Sequence, residues 1–222
     1  KKEIIDANKQ FTILSVGRLV PIKSFDISIK SFDLFYKRLS YDQKKLVQLK
    51  IVGSGPLKKN LAKLASQLES KENIHFIDWI EQSDLFNLYM SSNIMLVPSH
   101  EGAGAVLAEG FSYGLPIICF DGYGSGEIVD KSCGIKIDIN SECNAKNLFA
   151  DAIENLYKDN DLYLKLDGWF LSTNIKSDVK KINVKKELII ISKDEIKAWD
   201  PAVILVTILS VTSEVLLLIK YW

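Results

Sequence analysis

Short apolar runs alternate with amphipathic stretches along residues 11–160 of the chain. The run FTILSV (11–16) has the length and composition of a buried strand. The stretch SFDISIKSFDLFYKRL (24–39) then repeats large apolar side chains at helical spacing. The alternation continues with predicted strands at 11–16, 46–53, 73–79, 93–99, 115–121 and 133–139, and predicted helices at 24–39, 56–70, 83–92, 105–114 and 144–159. This order predicts an α/β fold with a Rossmann-like, doubly wound parallel sheet.

Glycine-rich or charged segments follow several of the predicted strands. They lie at 17–18, 53–55, 99–104 and 121–127. Ligands of doubly wound sheets bind at the carboxyl ends of the strands. Because all four segments fall at such ends, the sequence predicts one ligand site along this edge of the sheet.

The segment VGRLVPIKSFD (16–26) supplies two cations to that edge. Arg18 leaves the first strand and Lys23 precedes the first helix. A guanidinium fork and a compact ammonium beside a helix N-terminus suit a pyrophosphate. The alternative is that Arg18 binds a neighbouring carbonyl and Lys23 is solvated, and the motif alone leaves both interpretations open.

The segment IVGSGP (51–56) contains a G-x-G pattern on the second strand. Gly53 and Gly55 allow close approach of a ligand to the backbone. The third glycine of a dinucleotide fingerprint is missing, so the pattern supports that fingerprint poorly. A tight strand-to-helix turn is the favoured interpretation of these glycines.

The segment PSHEGAGAVLAEGFSYGLP (98–116) places two glutamates around a run of small residues. Free amides at 102–106 would form an anion site that the dipole of the following helix reinforces. Since a carboxylate does not favour a phosphate, Glu101 and Glu109 are expected to accept hydrogen bonds from neutral hydroxyls. The alternatives are a cap for Glu101 and a solvated helix position for Glu109. His100 is interpreted as a structural neighbour.

Composition narrows the class of protein. The chain has 222 residues, 47% apolar and 25% charged, as in ordinary soluble domains. Lys+Arg and Asp+Glu number 28 each, which argues against a nucleic-acid binder. Cys119, Cys133 and Cys143 lack metal-ligand spacing. We expect reduced thiols in a cytoplasmic protein.

These segments, taken in order over about residues 10–160, resemble the donor-binding domain of the retaining family 4 (group 1) glycosyltransferases. The most specific element is the glutamate pair E-x7-E, Glu101 and Glu109, followed by the turn at Gly114 and Pro116. The resemblance implies that residues 1–165 form the C-terminal, donor-binding half of a GT-B fold. It also implies a nucleotide-diphospho-sugar donor, with no metal and no other cofactor.

The resemblance assigns roles residue by residue. Arg18 and Lys23 would bind the diphosphate and stabilise the departing nucleotide. Glu101 would face the donor sugar and the reacting centre, and Glu109 would hold the ribose hydroxyls. The expected catalytic residues are Glu101, Arg18 and Lys23, and the expected donor-binding residues are Arg18, Lys23, Gly53, Gly102, Ala103, Gly104, Ala105, Val106 and Glu109.

Two departures from the family pattern bear on activity. Ala103 stands where the family has an aromatic residue, which leaves the identity of the donor sugar open. The first ten residues look like the middle of a longer chain, and the N-terminal acceptor domain of a GT-B enzyme is not present. We therefore expect this chain alone to be inactive, with the acceptor domain and a glycan or lipid-linked acceptor as its partners.

The expected function is sugar transfer of hexosyltransferase type in bacterial cell-surface polysaccharide biosynthesis. One alternative is a non-catalytic module that binds a nucleotide or nucleotide-sugar. A sugar-nucleotide epimerase of related fold is a weaker alternative, because such enzymes lack the E-x7-E turn.

Residues 166–222 form a C-terminal tail of uncertain structure. Its stretch 201–219 is long and apolar enough to just span a bilayer, but it contains Glu214. A packed strand or helix and a misread, non-native end are the alternatives. Attachment to the inner face of the membrane therefore stays open beside a purely cytoplasmic location.

Overall fold

The sheet has six strands, and helices connect them. The structure, a computed structural model, describes residues 4–101, 104–138, 140 and 144–166. The strands are β1 (Phe11–Val16), β2 (Val47–Val52), β3 (Ile74–Ile77), β4 (Ile94–Val97), β5 (Ile117–Asp121) and β6 (Gly134–Asp138). The helices are α1 (Phe25–Lys37), α2 (Tyr41–Lys44), α3 (Lys58–Ser66), α4 (Gln82–Met90), α5 (Gly104–Ser112), α6 (Ser125–Ile128), α7 (Ala145–Lys158) and α8 (Asn160–Lys165).

All strand pairings are parallel, and the strand order is β3-β2-β1-β4-β5-β6. The order reverses between β1 and β4, so this is where the sheet opens a crevice at its carboxyl edge. The predicted Rossmann-like, doubly wound α/β fold is confirmed. Each of the six predicted strands and five predicted helices has a counterpart in the structure.

The two faces of the sheet are both covered, which explains why the strands read as continuous apolar runs. Neighbouring residues of β1 divide between the faces: Ile13 packs with α1, α3, α7 and α8, whereas Leu14 packs with α4 and α5. Both side chains are fully buried. The site described below lies beyond the strand ends, supported by this core.

Some local details differ from the sequence-based predictions. Helix α3 begins at Lys58, two residues later than predicted, and the N–H of Leu57, just before it, donates to the Leu19 carbonyl oxygen (3.0 Å). The short helices α2, α6 and α8 were not predicted. Helix α2 is nevertheless well defined, since Ser40 and Gln43 form a capping box at its start.

No helix within the described ranges is long and apolar enough to cross a membrane. The predicted apolar stretch 201–219 and Cys143 lie outside the described residues. The predicted boundary near residue 165 and the membrane question therefore stay predictions.

Candidate functional site

Two of the loops at the carboxyl edge, 17–24 and 53–57, are joined by main-chain hydrogen bonds. The Leu19 N–H donates to the Ser54 carbonyl oxygen at 2.8 Å, and the Leu57 N–H donates to the Leu19 carbonyl oxygen at 3.0 Å. Main-chain bonds do not depend on side-chain identity. The ends of β1 and β2 therefore form a common framework.

Gly53 lies where these two loops touch. A Cβ at this position would come within 2.0 Å of the Gly17 carbonyl oxygen, and the residue has φ +142°, a conformation that favours glycine. Its N–H donates to the Ile77 carbonyl oxygen at 2.9 Å. Close packing of backbone on backbone therefore accounts for this glycine, as the turn interpretation predicts. Contact of Gly53 with a donor stays a prediction.

The loop 98–101 is joined to the same framework. The His100 N–H donates to the Ile22 carbonyl oxygen at 2.8 Å. This bond brings the end of β4 against the turn that carries Lys23, across the crevice between β1 and β4. Lys23 Nζ and Glu101 Oε1 lie 2.7 Å apart, although 77 residues lie between Lys23 and Glu101 in the sequence.

The Lys23–Glu101 ion pair is the main electrostatic feature of the site. The two side chains are 17% and 40% exposed. The hydrogen bond and charge of Lys23, with a smaller contribution from Arg18, hold the pKa of the Glu101 carboxyl below its ordinary value. Arg18 is exposed on the same edge. The predicted cations therefore lie near a predicted catalytic carboxylate at the carboxyl edge of the sheet.

Helix α5 follows loop 98–101 and carries Glu109 in its second turn. Tyr89 of α4 donates its hydroxyl to Glu109 Oε2 at 2.7 Å. Tyr89 is fully buried, whereas Glu109 is partly exposed. Burial first, and the Glu109 charge second, raise the pKa of the Tyr89 hydroxyl, so it stays a proton donor. The buried Tyr89 hydroxyl therefore holds the Glu109 carboxylate from its core side.

The amino end of α5 adds partial positive charge to the crevice. Gly104, Ala105 and Val106 form its first turn, and the space that a Cβ on Gly104 would take is open. Gly102 and Ala103 lie outside the described residues. A shallow depression beside this turn is lined by Val16, Lys23, Phe25, residues 96–99 and Val106.

The ring of His100 packs on aromatic neighbours. Its centroid lies 5.1 Å from that of Phe120 and 4.9 Å from that of Tyr123. Its backbone N–H holds the loop, as described above. These contacts agree with the interpretation of His100 as a structural neighbour.

The charged segment after β5 forms its own contacts. Asp121 pairs with Lys136 at 2.8 Å, and Lys136 also donates to the Gly126 carbonyl oxygen at 3.1 Å. The Asp121 charge is therefore already met. Among the described residues, no three His, Cys, Asp or Glu side chains come together as a metal site.

Sequence reasoning missed two features of the site. One is the contact between Lys23 and Glu101, which joins residues far apart in the chain. The other is Tyr89, which the sequence presents only as one aromatic residue in the helix SDLFNLYMSS. Helical spacing identifies it as a core position and gives no signal of a hydrogen bond to Glu109.

The fold and this edge define a class: a Rossmann-like domain with cations and carboxylates gathered at its topological switch point. The model of the family "Glycosyl transferases group 1" matches residues 1–167. The chain therefore belongs to the group 1 glycosyl transferases. The predicted resemblance to that family is confirmed.

Individual proteins show the same likeness. An uncharacterized glycosyltransferase of Haemophilus influenzae is 33% identical over 167 residues, which cover 75% of this chain and 43% of that protein. The C-terminal domain of the group 1 protein LpcC from Francisella tularensis has a TM-score of 0.64 at 22% identity, covering 75% of this chain and 86% of that one. A TarM mutant of S. aureus, in complex with UDP, fondaparinux and alpha-GlcNAc-glycerol, has a TM-score of 0.63 at 23% identity. The match covers 82% of this chain and 37% of the TarM chain.

These structural likenesses establish the fold, which is that of the C-terminal domain of GT-B glycosyltransferases. The chain spans less than half the length of the H. influenzae relative.

Proposed function

We propose that this chain is the donor-binding half of a retaining glycosyltransferase that uses a nucleotide-diphospho-sugar. The observation that carries the proposal is the meeting of Lys23, Glu101 and the first turn of α5 at the crevice between β1 and β4. Cations and a helix N-terminus suit phosphates, while carboxylates suit sugar hydroxyls. The UDP named for TarM is consistent with such a donor.

Arg18 and Lys23 bind the diphosphate in this proposal. Lys23 is mostly buried and its charge is met by Glu101, so a phosphate would compete with that carboxylate for the ammonium group. Arg18 is exposed, and approach to the second phosphate would break no ion pair between its side chain and another described residue. Amides of Gly102, Ala103, Gly104, Ala105 and Val106 would meet phosphate or sugar oxygens.

Glu109 binds the ribose. Its carboxylate lies in the second turn of α5, deeper along the helix than the phosphate-binding first turn. A partly exposed carboxylate can accept hydrogen bonds from two adjacent hydroxyls. This contact would be made equally by a nucleoside and by its diphosphate.

Glu101 acts at the donor sugar. As the bond between the sugar and the diphosphate oxygen breaks, the nucleoside diphosphate leaves with the electron pair, and positive charge develops on the sugar. The Glu101 carboxylate stabilises that charge, while Arg18 and Lys23 stabilise the leaving anion. The acceptor oxygen then bonds to the same face of the sugar, and its proton passes to the departing diphosphate oxygen. These side chains supply the charge stabilisation without a metal ion.

The proposed acceptor site and pathway involve parts of the enzyme other than the described residues. An N-terminal domain would hold a glycan or lipid-linked acceptor on the opposite wall of the crevice. We place the reaction in bacterial cell-surface polysaccharide synthesis, on the cytoplasmic side of the membrane. A non-catalytic nucleotide-binding module is the second candidate, because the donor-side residues alone would support binding without transfer.

Calorimetric titration of UDP, GDP, uridine and guanosine into the 222-residue chain tests the proposal. Replacing Arg18 or Lys23 by alanine should weaken binding of the nucleoside diphosphate by about 10- to 150-fold, the range for charge-assisted hydrogen bonds. Binding of the nucleoside should weaken far less. Added salt should narrow that difference. Glu109→Ala should weaken both kinds of ligand alike. Glu101→Gln should leave diphosphate binding as tight or tighter, because it removes negative charge beside Lys23.

Lys44→Ala is the matched control. Lys44 also forms an ion pair, with Glu69 at 2.7 Å, but it lies before β2 at the opposite edge of the sheet. Its loss should change no affinity. Equal weakening by Lys44→Ala and Lys23→Ala, or no binding of either diphosphate, would contradict the proposed site. Restoring the N-terminal domain and measuring transfer separates the enzyme from the non-catalytic module.

A further inference from the structure

Tyr89 is the residue from which a role beyond packing can be inferred. Its ring is fully buried between α4, α5 and the sheet, in the same apolar cluster as Leu107 and Phe111. A buried phenol needs a hydrogen-bond partner, and a main-chain carbonyl or water commonly serves. Here the partner is Glu109, a residue of the ligand edge.

The hydrogen bond from Tyr89 occupies only half of the Glu109 carboxylate. The hydroxyl donates to Oε2 at 2.7 Å, a length typical of charge-assisted O–H···O⁻ bonds. Within the described part of the chain, Tyr89 is the sole hydrogen-bond partner of this carboxylate. Oε1 is left to accept from a hydroxyl on the open side.

Aromatic neighbours hold the ring of Tyr89 in place. Tyr113 lies parallel to the Tyr89 ring, with centroids 5.6 Å apart and an interplanar angle of 5°. Phe86 packs on Tyr113 at 5.8 Å. This aromatic stack, Phe86, Tyr113 and Tyr89, restrains the Tyr89 ring with its oxygen beside Glu109. It also joins α4 to the end of α5.

We propose that Tyr89 is a positioning residue: it holds Glu109 in the rotamer that presents Oε1 to the ribose. The role rests on the proposed function, because it acts through the Glu109–ribose contact. A glutamate side chain has three rotatable bonds, and fixing them on binding costs affinity. The hydrogen bond from Tyr89 restrains these bonds of Glu109 before the ligand binds, so less affinity is lost on binding.

Tyr89→Phe tests the proposal, since it removes the hydroxyl and keeps the ring. We expect about 2- to 10-fold weaker binding of UDP or GDP, the cost of fixing one flexible side chain. The same variant should bind the 2′,3′-dideoxy diphosphate as well as the parent chain does. Both ligands are titrated into one sample, so partial unfolding lowers both affinities and leaves their ratio unchanged. The ratio therefore reports the ribose contact alone.

A double variant shows whether Tyr89 acts through Glu109. In the Glu109→Ala background, Tyr89→Phe should cause no further loss of affinity. Tyr163→Phe is the matched control: Tyr163 is also buried and donates its hydroxyl, to the Asn93 carbonyl oxygen at 3.1 Å, at the amino end of β4. It should leave the ratio of ribo- to dideoxy-ligand affinity unchanged.

Two results would overturn the positioning role. One is an unchanged affinity ratio in Tyr89→Phe while Glu109→Ala does lower it. The other is additive losses in the double variant, which would mean that the hydroxyl acts elsewhere. Failure of the proposed function gives a different result. In that case Glu109→Ala would have the same ratio of ribo- to dideoxy-ligand affinity as the parent chain.

Discussion

Replacing Gly53 by alanine should destabilise the fold without acting through a ligand. The added Cβ would lie 2.0 Å from the Gly17 carbonyl oxygen and 3.0 Å from its carbonyl carbon. Neither strand end can easily move aside. The Gly17 N–H donates to the Val52 carbonyl oxygen at 3.0 Å, and the Gly53 N–H donates to the Ile77 carbonyl oxygen at 2.9 Å.

Two terms set the size of the effect. Alanine at φ +142° incurs backbone strain of about 1–3 kcal/mol. Displacing a packed carbonyl group adds a similar amount, about 1–3 kcal/mol for an overpacked interior. We therefore expect the free energy of unfolding to fall by about 2–6 kcal/mol, a large part of the stability of an ordinary domain.

Urea unfolding followed by far-UV circular dichroism measures the change. With a slope of about 2 kcal/mol per molar urea, the midpoint should fall by about 1–3 M. Gly104→Ala is the matched control, because no described residue comes within 4 Å of its added Cβ and the residue begins α5. That variant should be unchanged or slightly more stable, since alanine favours helix.

A different pattern would refute the packing argument. If Gly53→Ala kept its urea midpoint but lost affinity for UDP and GDP, the glycine would be needed for approach of the ligand. The role expected from the family resemblance would then be correct for Gly53.

Two further predictions concern titratable groups. Burial opposes ionisation of Asp33, but its bonds to Lys37 (2.6 Å) and to Ser70 (N–H 3.1 Å, hydroxyl 2.9 Å) outweigh that effect and lower its pKa below 3.8. Asp33→Asn should therefore cost about 1–3 kcal/mol in urea unfolding near pH 7. The difference should shrink as the pH falls below about 4, where the unfolded Asp33 carboxyl becomes protonated, and disappear only below the lowered pKa of the folded carboxyl. Burial raises the pKa of the Cys119 thiol to about 12 and of Cys133 to about 11, so neither should react with iodoacetamide at about pH 8 before unfolding, as peptide mapping would report.

Each of these has a clear contrary result. An Asp33→Asn penalty that is equal at about pH 7 and about pH 3 would mean that the carboxylate charge contributes nothing. Rapid alkylation of Cys119 or Cys133 in the folded chain would mean that the thiol is accessible and partly ionised.

Periodicity predicted the sheet well because both faces are covered. β1 and β4 are buried on both sides, so their sequences are short, continuous apolar runs that only a central parallel strand explains. Helix α1 shows its apolar face through Phe25, Ile29 and Phe32. Short helices such as α2 were missed, because a single turn has too few residues to display a period.

The site was predicted as a set of residues and not as a geometry. The carboxyl edge follows from the topology rule, and Arg18, Lys23, Glu101 and Glu109 follow from motifs near strand ends. Their contacts do not, because they depend on tertiary placement. The Lys23–Glu101 ion pair arises from a main-chain bond between two loops, and the bond between Tyr89 and Glu109 arises from packing of α4 on α5.

The main-chain bonds that join the loops at the carboxyl edge separate support from recognition. Leu19, Ser54, Leu57, Ile22 and His100 contribute only peptide N–H and carbonyl groups to this framework. Such groups are common to nearly every amino acid, so apart from close-packed positions such as Gly53 the loop geometry depends little on the side chains that project into the crevice. Selection can therefore change the projecting residues, and with them the preferred ligand, one substitution at a time. The carboxyl edge is therefore a constant backbone scaffold on which different ligand specificities can evolve.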